Sequence, residues 1–175
     1  MSRPAEILWP LFKTLLFTIF VPGVVGVWIP YQVGGASNIR QTLAQASQLR
    51  LVSGGLFFLI GSVAYLWCAW DFAVKGLGTP APIDAPKSLV VNGLYRYVRN
   101  PMYLGVAYLI SAQSIIRSSH LSYYYLIFFL FCAQLFVSSY EEPHLRKIFG
   151  AQYEDYCRQV PRWVPRFPGY RSPAT

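Results

Sequence analysis

Charge is what this sequence has least of. Charged residues make up 13% of the 175, and only seven residues are Asp or Glu. A soluble domain carries about 25% charged residues, so too few remain here to coat a globule of this size in water. Histidine is scarce as well: His120 and His144 are the only two, in no metal-binding pattern. The three cysteines, Cys68, Cys132 and Cys157, form no C-x-x-C pair, and two of them sit in apolar runs. That argues against a disulfide or zinc framework. There is no internal repeat and no Gly-x-Gly-x-x-Gly dinucleotide fingerprint. The same composition excludes a disordered chain and a collagen-like one.

What the sequence has is apolar length. Hydrophobic residues reach 54% and mean hydropathy is +0.35. At 19.9 kDa the length suits one domain, residues 1–175, and the composition is that of an integral membrane protein. A helix needs about 20 apolar residues to cross the hydrocarbon core. Residues 51–70 and 121–140 are uncharged runs of that length. Residues 7–29 form a third span, with Lys13 near one end, where it can snorkel to the interface. Pro22 lies within it as a kink that neighbouring helices can accommodate. The apolar stretch exceeds the 7–15 residues of a signal-peptide core and lacks a clear cleavage site, so we expect it to be retained. Residues 101–117 are the fourth and shortest span; Ser111, Gln113 and Ser114 assign it to contact with other helices rather than lipid. Trp9, Trp28, Trp67 and Trp70 fall near span ends, as in an aromatic belt. The predicted fold class is all-α: a multi-pass bundle of about four spans with a C-terminal amphipathic helix and tail.

The net charge of +8 says little about nucleic acid, because positive-inside topology produces the same excess. Four spans place both termini on one side. That side collects Lys75, Lys87, Arg96 and Arg99 in the middle loop, then Arg146, Lys147, Arg158, Arg162, Arg166 and Arg171 in the tail. The other side has Arg40, Arg50 and Arg117. The basic side is therefore predicted to be cytoplasmic, in a bacterial inner membrane or the endoplasmic reticulum, and to carry any chemistry. In the tail, Pro143 suits the first turn of a new helix. Leu145, Phe149, Tyr153, Tyr156 and Val160 then recur at steps of three and four, which predicts one amphipathic helix. Pro161, Pro165, Pro168 and Pro173 stop it.

Three segments on that side carry candidate chemistry. Gly76-Leu77-Gly78 lets the backbone approach a ligand, or is an ordinary exit turn. Residues 93–105, GLYRYVRNPMYLG, combine arginines and tyrosines at the mouth of the third span. Taken alone they also suit an interfacial anchor. Glu141-Glu142 closes the fourth span. The pair either holds a cationic or hydroxyl-bearing ligand or favours the N-terminus of the helix begun by Pro143.

The order of these segments resembles the isoprenylcysteine carboxyl methyltransferase-like family of membrane enzymes, which is similar to the phospholipid N-methyltransferases. GLYRYVRNPMYLG, an apolar span, then EEPHLRKIFGAQYEDYCRQVPRWVP carry the resemblance over residues 76–166. Glu141, Glu142, Leu145, Phe149, Gly150, Tyr153, Tyr156, Val160 and Pro161 fit its C-terminal pattern. The resemblance implies S-adenosylmethionine as methyl donor, bound on the cytoplasmic side by residues about 71–170. It implies cofactor contacts from Gly76, Gly78, Arg96, Tyr97, Asn100, Pro101, Tyr103, Gly105, Glu141, Glu142 and Tyr153. Asn100 stands where the family usually has histidine; it can hydrogen-bond but not titrate.

The residue types suit this chemistry. Tyr97, Tyr103 and Tyr153 can attract a sulfonium over their ring faces. Glu141 or Glu142 can accept from the cofactor's ribose hydroxyls or α-ammonium, and Arg96 or Arg99 can pair with its carboxylate. The catalytic candidates are Arg99, Glu142 and Arg162. A carboxylate acceptor, with a pKa of about 4, is already ionised at neutral pH and needs only orienting, by Arg162. An amine would need a base, Glu142. Either acceptor should be a lipid or carry a prenyl or similar tail. We expect a carboxylate acceptor. The alternatives are phospholipid N-methylation, a nicotinamide-dependent membrane reductase, since membrane sterol reductases have a similar C-terminal half, and a family member that has lost activity. No metal is expected.

Overall fold

The computed structural model describes residues 4–20, 22–35, 39–72 and 88–170, and among them all regular structure is helical. Helices α1 (Pro4–Phe20), α2 (Ile29–Val33), α3 (Ile39–Gln45), α4 (Gln48–Asp71) and α5 (Pro101–Arg117) come first. Then follow α6 (His120–Phe136), α7 (Glu142–Phe149) and α8 (Ala151–Gln159). Among the described residues three segments are long and apolar enough to cross a membrane: Phe12–Val33, Gln48–Asp71 and His120–Phe149. They correspond to the predicted spans at 7–29, 51–70 and 121–140. Their outer faces carry exposed Leu15, Ile19, Leu59, Leu66, Ile127 and Phe131, a surface that suits lipid and not water.

The predicted fourth span is a helix with the expected bounds, but at 17 residues it is shorter than those three. It is also the buried centre of the bundle. Ile110 and Ser114 are fully enclosed, and Gln113 reaches the carbonyl of Gly26 at 2.9 Å. The polar residues of this segment thus face protein, as their placement in the sequence predicted.

Helices α4 and α5 run antiparallel in the most extensive contact of the fold. Glycine makes it possible. A Cβ on Gly61 would stand 2.7 Å from the carbonyl oxygen of Gly105, and one on Gly105 would stand 3.1 Å from Tyr65. Among membrane helices such close approach replaces the missing hydrophobic drive with packing. Tyr65, Cys68, Val90, Tyr95, Met102 and Val106 form the core at the end of this pair that carries Asp71 and Pro101.

Among the described residues two full turns of π-helix interrupt the segments Phe12–Val33 and His120–Phe149. Val24–Trp28 precedes Pro30, which has no N–H for the carbonyls behind it. Those carbonyls find side chains: Tyr125 donates to Val25 at 2.8 Å and Gln113 to Gly26 at 2.9 Å. Val137–Glu141 likewise precedes Pro143. Pro143 stands in the first turn of α7, as its position suggested, but α7 continues the helix from His120, which runs on to Phe149 by widening one turn.

The tail helix is also corrected. The single amphipathic helix predicted from Leu145 to Val160 is two, α7 and α8, broken at Gly150, whose φ of 51° is the conformation glycine tolerates best. Its apolar face survives the break. Tyr153, Tyr156 and Val160 are buried in one cluster with Leu145 and Phe149 packed against them. Tyr156 donates to the Tyr95 carbonyl at 2.7 Å, which fastens α8 to the loop before α5.

Candidate functional site

The continuous helix carries Glu142 inward, to 2% exposure. A lone buried carboxylate is costly, and this one is paired. Arg162 grips it with two bonds, Nε to Oε1 at 2.7 Å and Nη2 to Oε2 at 2.9 Å. Arg99 Nη1 lies 2.9 Å from Oε1, and Arg146 approaches Oε2 at 3.8 Å from one turn along. Three separate stretches of chain, 99, 142 and 162, thus meet at one carboxylate. The bond from Glu142 raises the Arg162 pKa above its usual value, so the guanidinium stays charged.

The stretch after α8 lies along residues 96–100 like a strap. Arg99 N donates to the Pro161 carbonyl at 2.9 Å, Arg166 N to that of Tyr97 at 3.0 Å, and Tyr170 N to that of Arg96 at 2.7 Å. Asn100 is buried and donates from Nδ2 to the Arg162 carbonyl at 3.2 Å. Arg96 donates to the Tyr170 carbonyl at 2.9 Å. Tyr97 packs on Phe167 with ring centroids 5.0 Å apart, and its ring leaves no room for a side chain at Gly169. Arg96, Tyr97 and Asn100 therefore fasten the strap.

Beside the Glu142 cluster a cavity of ≈ 370 Å³ opens between the helices. Arg99, Asn100, Tyr103 and Glu141 supply its polar wall, from the start of α5 and the turn after α6; Phe17, Val25, Val106 and Phe129 belong to its apolar remainder. Tyr103 donates to Glu141 Oε2 at 3.0 Å. Among the described residues no basic side chain pairs with Glu141. Arg99 Nη1 also donates to Cys157 Sγ at 2.9 Å, while its buried Nε has no partner among the described residues. One wall thus carries a cation, Arg99, and a carboxylate, Glu141, that no described basic side chain neutralises. Burial pushes the hydroxyl pKa values of Tyr95, Tyr153 and Tyr156 well up, so these stay neutral hydrogen-bonding groups and do not act as phenolate bases.

The structure thus brings together Arg99, Asn100, Tyr103, Glu141, Glu142 and Arg162, with Tyr153 close by. It places Pro101 at the first turn of α5 and Gly105 in the α4–α5 contact, where its missing side chain serves packing. Gly76 and Gly78 lie outside the described residues. Two residues were missed. Trp163 meets the Tyr103 ring edge-on, with centroids 6.2 Å apart, and donates from Nε1 to Gln134 Oε1 at 2.6 Å. Their signals were a tryptophan between prolines and a lone amide in the apolar run 121–140.

An all-helical membrane bundle with a charged cluster and cavity at one end is the class that fold and site define. The model of the phospholipid methyltransferase family matches residues 49–152, and the chain belongs to that family. It is 32% identical over 82 residues to a protein-S-isoprenylcysteine O-methyltransferase of Schizosaccharomyces pombe, covering 46% of this chain and 34% of the relative. It is 35% identical over 89 residues to a methanethiol S-methyltransferase of Crocosphaera subtropica, covering 50% of this chain and 32% of the relative. It is also 35% identical over 82 residues to a delta(14)-sterol reductase of Gallus gallus, covering 46% of this chain and 13% of the relative. The chain spans between about an eighth and about a third of the length of these relatives. No solved structure matches it.

Proposed function

We propose that this protein is an S-adenosylmethionine-dependent membrane methyltransferase acting on a lipid or lipid-modified carboxylate. The observation that carries the proposal is the cavity wall that presents Arg99 and Glu141 together. The methionine part of that cofactor bears a carboxylate and an ammonium. Arg99 on that wall suits the first, and the carboxylate of Glu141 suits the second or a ribose hydroxyl. The residues present therefore fit the cofactor, which when bound supplies an electrophilic methyl group. Tyr103 and Trp163 add aromatic surface beside Glu141, favourable for a cation.

The acceptor follows from charge. Arg146 spends its short bond on Glu154, at 2.7 Å, which leaves Arg99 and Arg162 against the single charge of Glu142, so one further anion is favoured there. Arg162 spends Nε and Nη2 on Glu142, and its Nη1 edge can orient an acceptor carboxylate. Such an acceptor needs no base, which suits a Glu142 already engaged by arginines. The apolar remainder of the cavity can take its lipid tail. The residues act by holding the acceptor in line for attack, which removes much of a barrier. We place this wall on the cytoplasmic side, where the basic residues collect.

The test is to incubate purified protein with methyl-labelled cofactor and, in parallel, a prenylated cysteine with a free carboxylate and an ethanolamine phospholipid. Base-labile label in the prenylated cysteine supports the reading; base-stable label in the phospholipid replaces it with N-methylation. The sterol reductase similarity favours a second reading, nicotinamide-dependent reduction at the same cavity. Oxidation of a reduced nicotinamide with a sterol, without methyl transfer, would establish that one instead.

A further inference from the structure

The far end of the bundle holds a second pocket, of ≈ 240 Å³, polar where the first is apolar. Arg50 and Arg117 line it with Thr42, Gln45 and Gly34. Arg50 lies in the first turn of α4 and Arg117 closes α5, so the antiparallel pairing of these helices brings both arginines to one end of the bundle and onto one pocket. Each is held in place. Arg117 donates to the Gly35 carbonyl at 2.6 Å and lies 4.5 Å over the Tyr31 ring. Arg50 donates to the Gln45 carbonyl at 3.3 Å and the Ser47 hydroxyl at 3.4 Å. A guanidinium has five N–H donors, and these bonds use only some of them.

Among the described residues no carboxylate pairs with Arg50 or Arg117. The sequence has no Asp or Glu between Glu6 and Asp71, nor between Asp84 and Glu141. Asp71 and Glu141 sit at the opposite end of the helices, about 30 Å away by helix length. Around the pocket Leu43, Leu49, Val52 and Leu121 are exposed, so the pocket adjoins a surface suited to acyl chains. Two preorganised guanidiniums match the oxygens of a phosphodiester in the way that an ammonium does not.

We infer that this pocket binds the phosphate of an anionic phospholipid, in the leaflet opposite the Arg99–Glu142 cluster. The lipid supplies the negative charge that the described residues lack there and joins the ends of α4 and α5. The site is separate from the proposed methyl-transfer cavity and does not depend on that reading.

The experiment is native mass spectrometry of delipidated protein titrated with phosphatidylglycerol, with phosphatidylcholine and with inorganic phosphate. Thermal unfolding is followed in the same mixtures. The parent should retain phosphatidylglycerol and unfold at higher temperature with it, more than with phosphatidylcholine. The double variant R50Q/R117Q should bind it about 30-fold more weakly, from about fivefold per cation near a membrane surface. R50K/R117K, which keeps the charges but not the planar fork, should fall between, and it decides the matter if the glutamine pair does not fold. Equal retention by the glutamine variant overturns the inference, as does a lysine variant indistinguishable from the parent. Inorganic phosphate displacing the lipid at equal concentration would show a free-anion site and also overturns it, as would equal stabilisation by the two lipids.

Discussion

At the scale of single residues, the two neighbouring glutamates have different surroundings. Glu142 is enclosed by Arg99 and Arg162, whereas Glu141 faces the cavity with Tyr103 as its partner. Glu142→Gln removes the anion between the arginines. Breaking such a pair costs about 3–5 kcal/mol, and with Arg162 side chain 29% exposed we expect about 3, seen as a fall in apparent Tm. Glu141→Gln should leave Tm near the parent and weaken S-adenosylmethionine binding by about 1–3 kcal/mol, measured by calorimetric titration. Equal behaviour of the two variants would contradict the division. Asn100 gives a second residue-scale expectation. Its side chain donates to the Arg162 carbonyl, a task histidine can also perform. Asn100→His should therefore keep kcat/KM within about tenfold, or 1.4 kcal/mol. Asn100→Leu should loosen the strap, read as faster proteolysis after Gln159. An inert parent switched on by Asn100→His would show a degenerate family member. The chemistry-bearing residues were legible as types in the sequence. That Glu142 would be consumed by Arg99 and Arg162 was not, because positions 43 and 20 residues away meet only through the strap.

At the scale of elements, hydropathy revealed the helices and missed their irregularities. The runs at 51–70 and 121–140 stood out because lipid selects apolar length. The π turn before Pro143 did not, because one wider turn leaves hydropathy unchanged. The break at Gly150 was hidden for a related reason: Tyr153 and Tyr156 bury with Leu145 and Phe149 as they would on one unbroken helix. The α4–α5 contact yields a prediction with a control on the same helix. Gly61→Ala puts a Cβ within 2.7 Å of backbone and should destabilise by about 1–3 kcal/mol. Gly55→Ala meets nothing within 4 Å and should be neutral or slightly stabilising. Apparent Tm in detergent compares them; equal shifts would mean that helix propensity, and not the crossing, sets the outcome.

At the scale of the whole molecule, composition was enough for the class, since 13% charge and 54% hydrophobic residues leave few alternatives to a membrane bundle. The cavity was not legible, because its walls come from α1, α4, α5 and α6 and depend on how those helices cross. The charge distribution alone supports our proposal that the Arg99–Glu142 end faces the cytoplasm. A Ser88→Cys variant should accordingly react with a membrane-impermeant thiol reagent only from the cytoplasmic face, and reaction only from outside would invert the arrangement. The central claim, that this bundle moves a methyl group from S-adenosylmethionine to a lipid at the Arg99–Glu141 wall, has one direct measurement. Purified parent and Glu141→Gln are incubated with methyl-labelled cofactor and total lipid extract, and the labelled product is identified by mass. The account predicts a single labelled lipid class from the parent and at least about a tenfold lower rate from the variant. No label from the parent, or equal label from both, would contradict it.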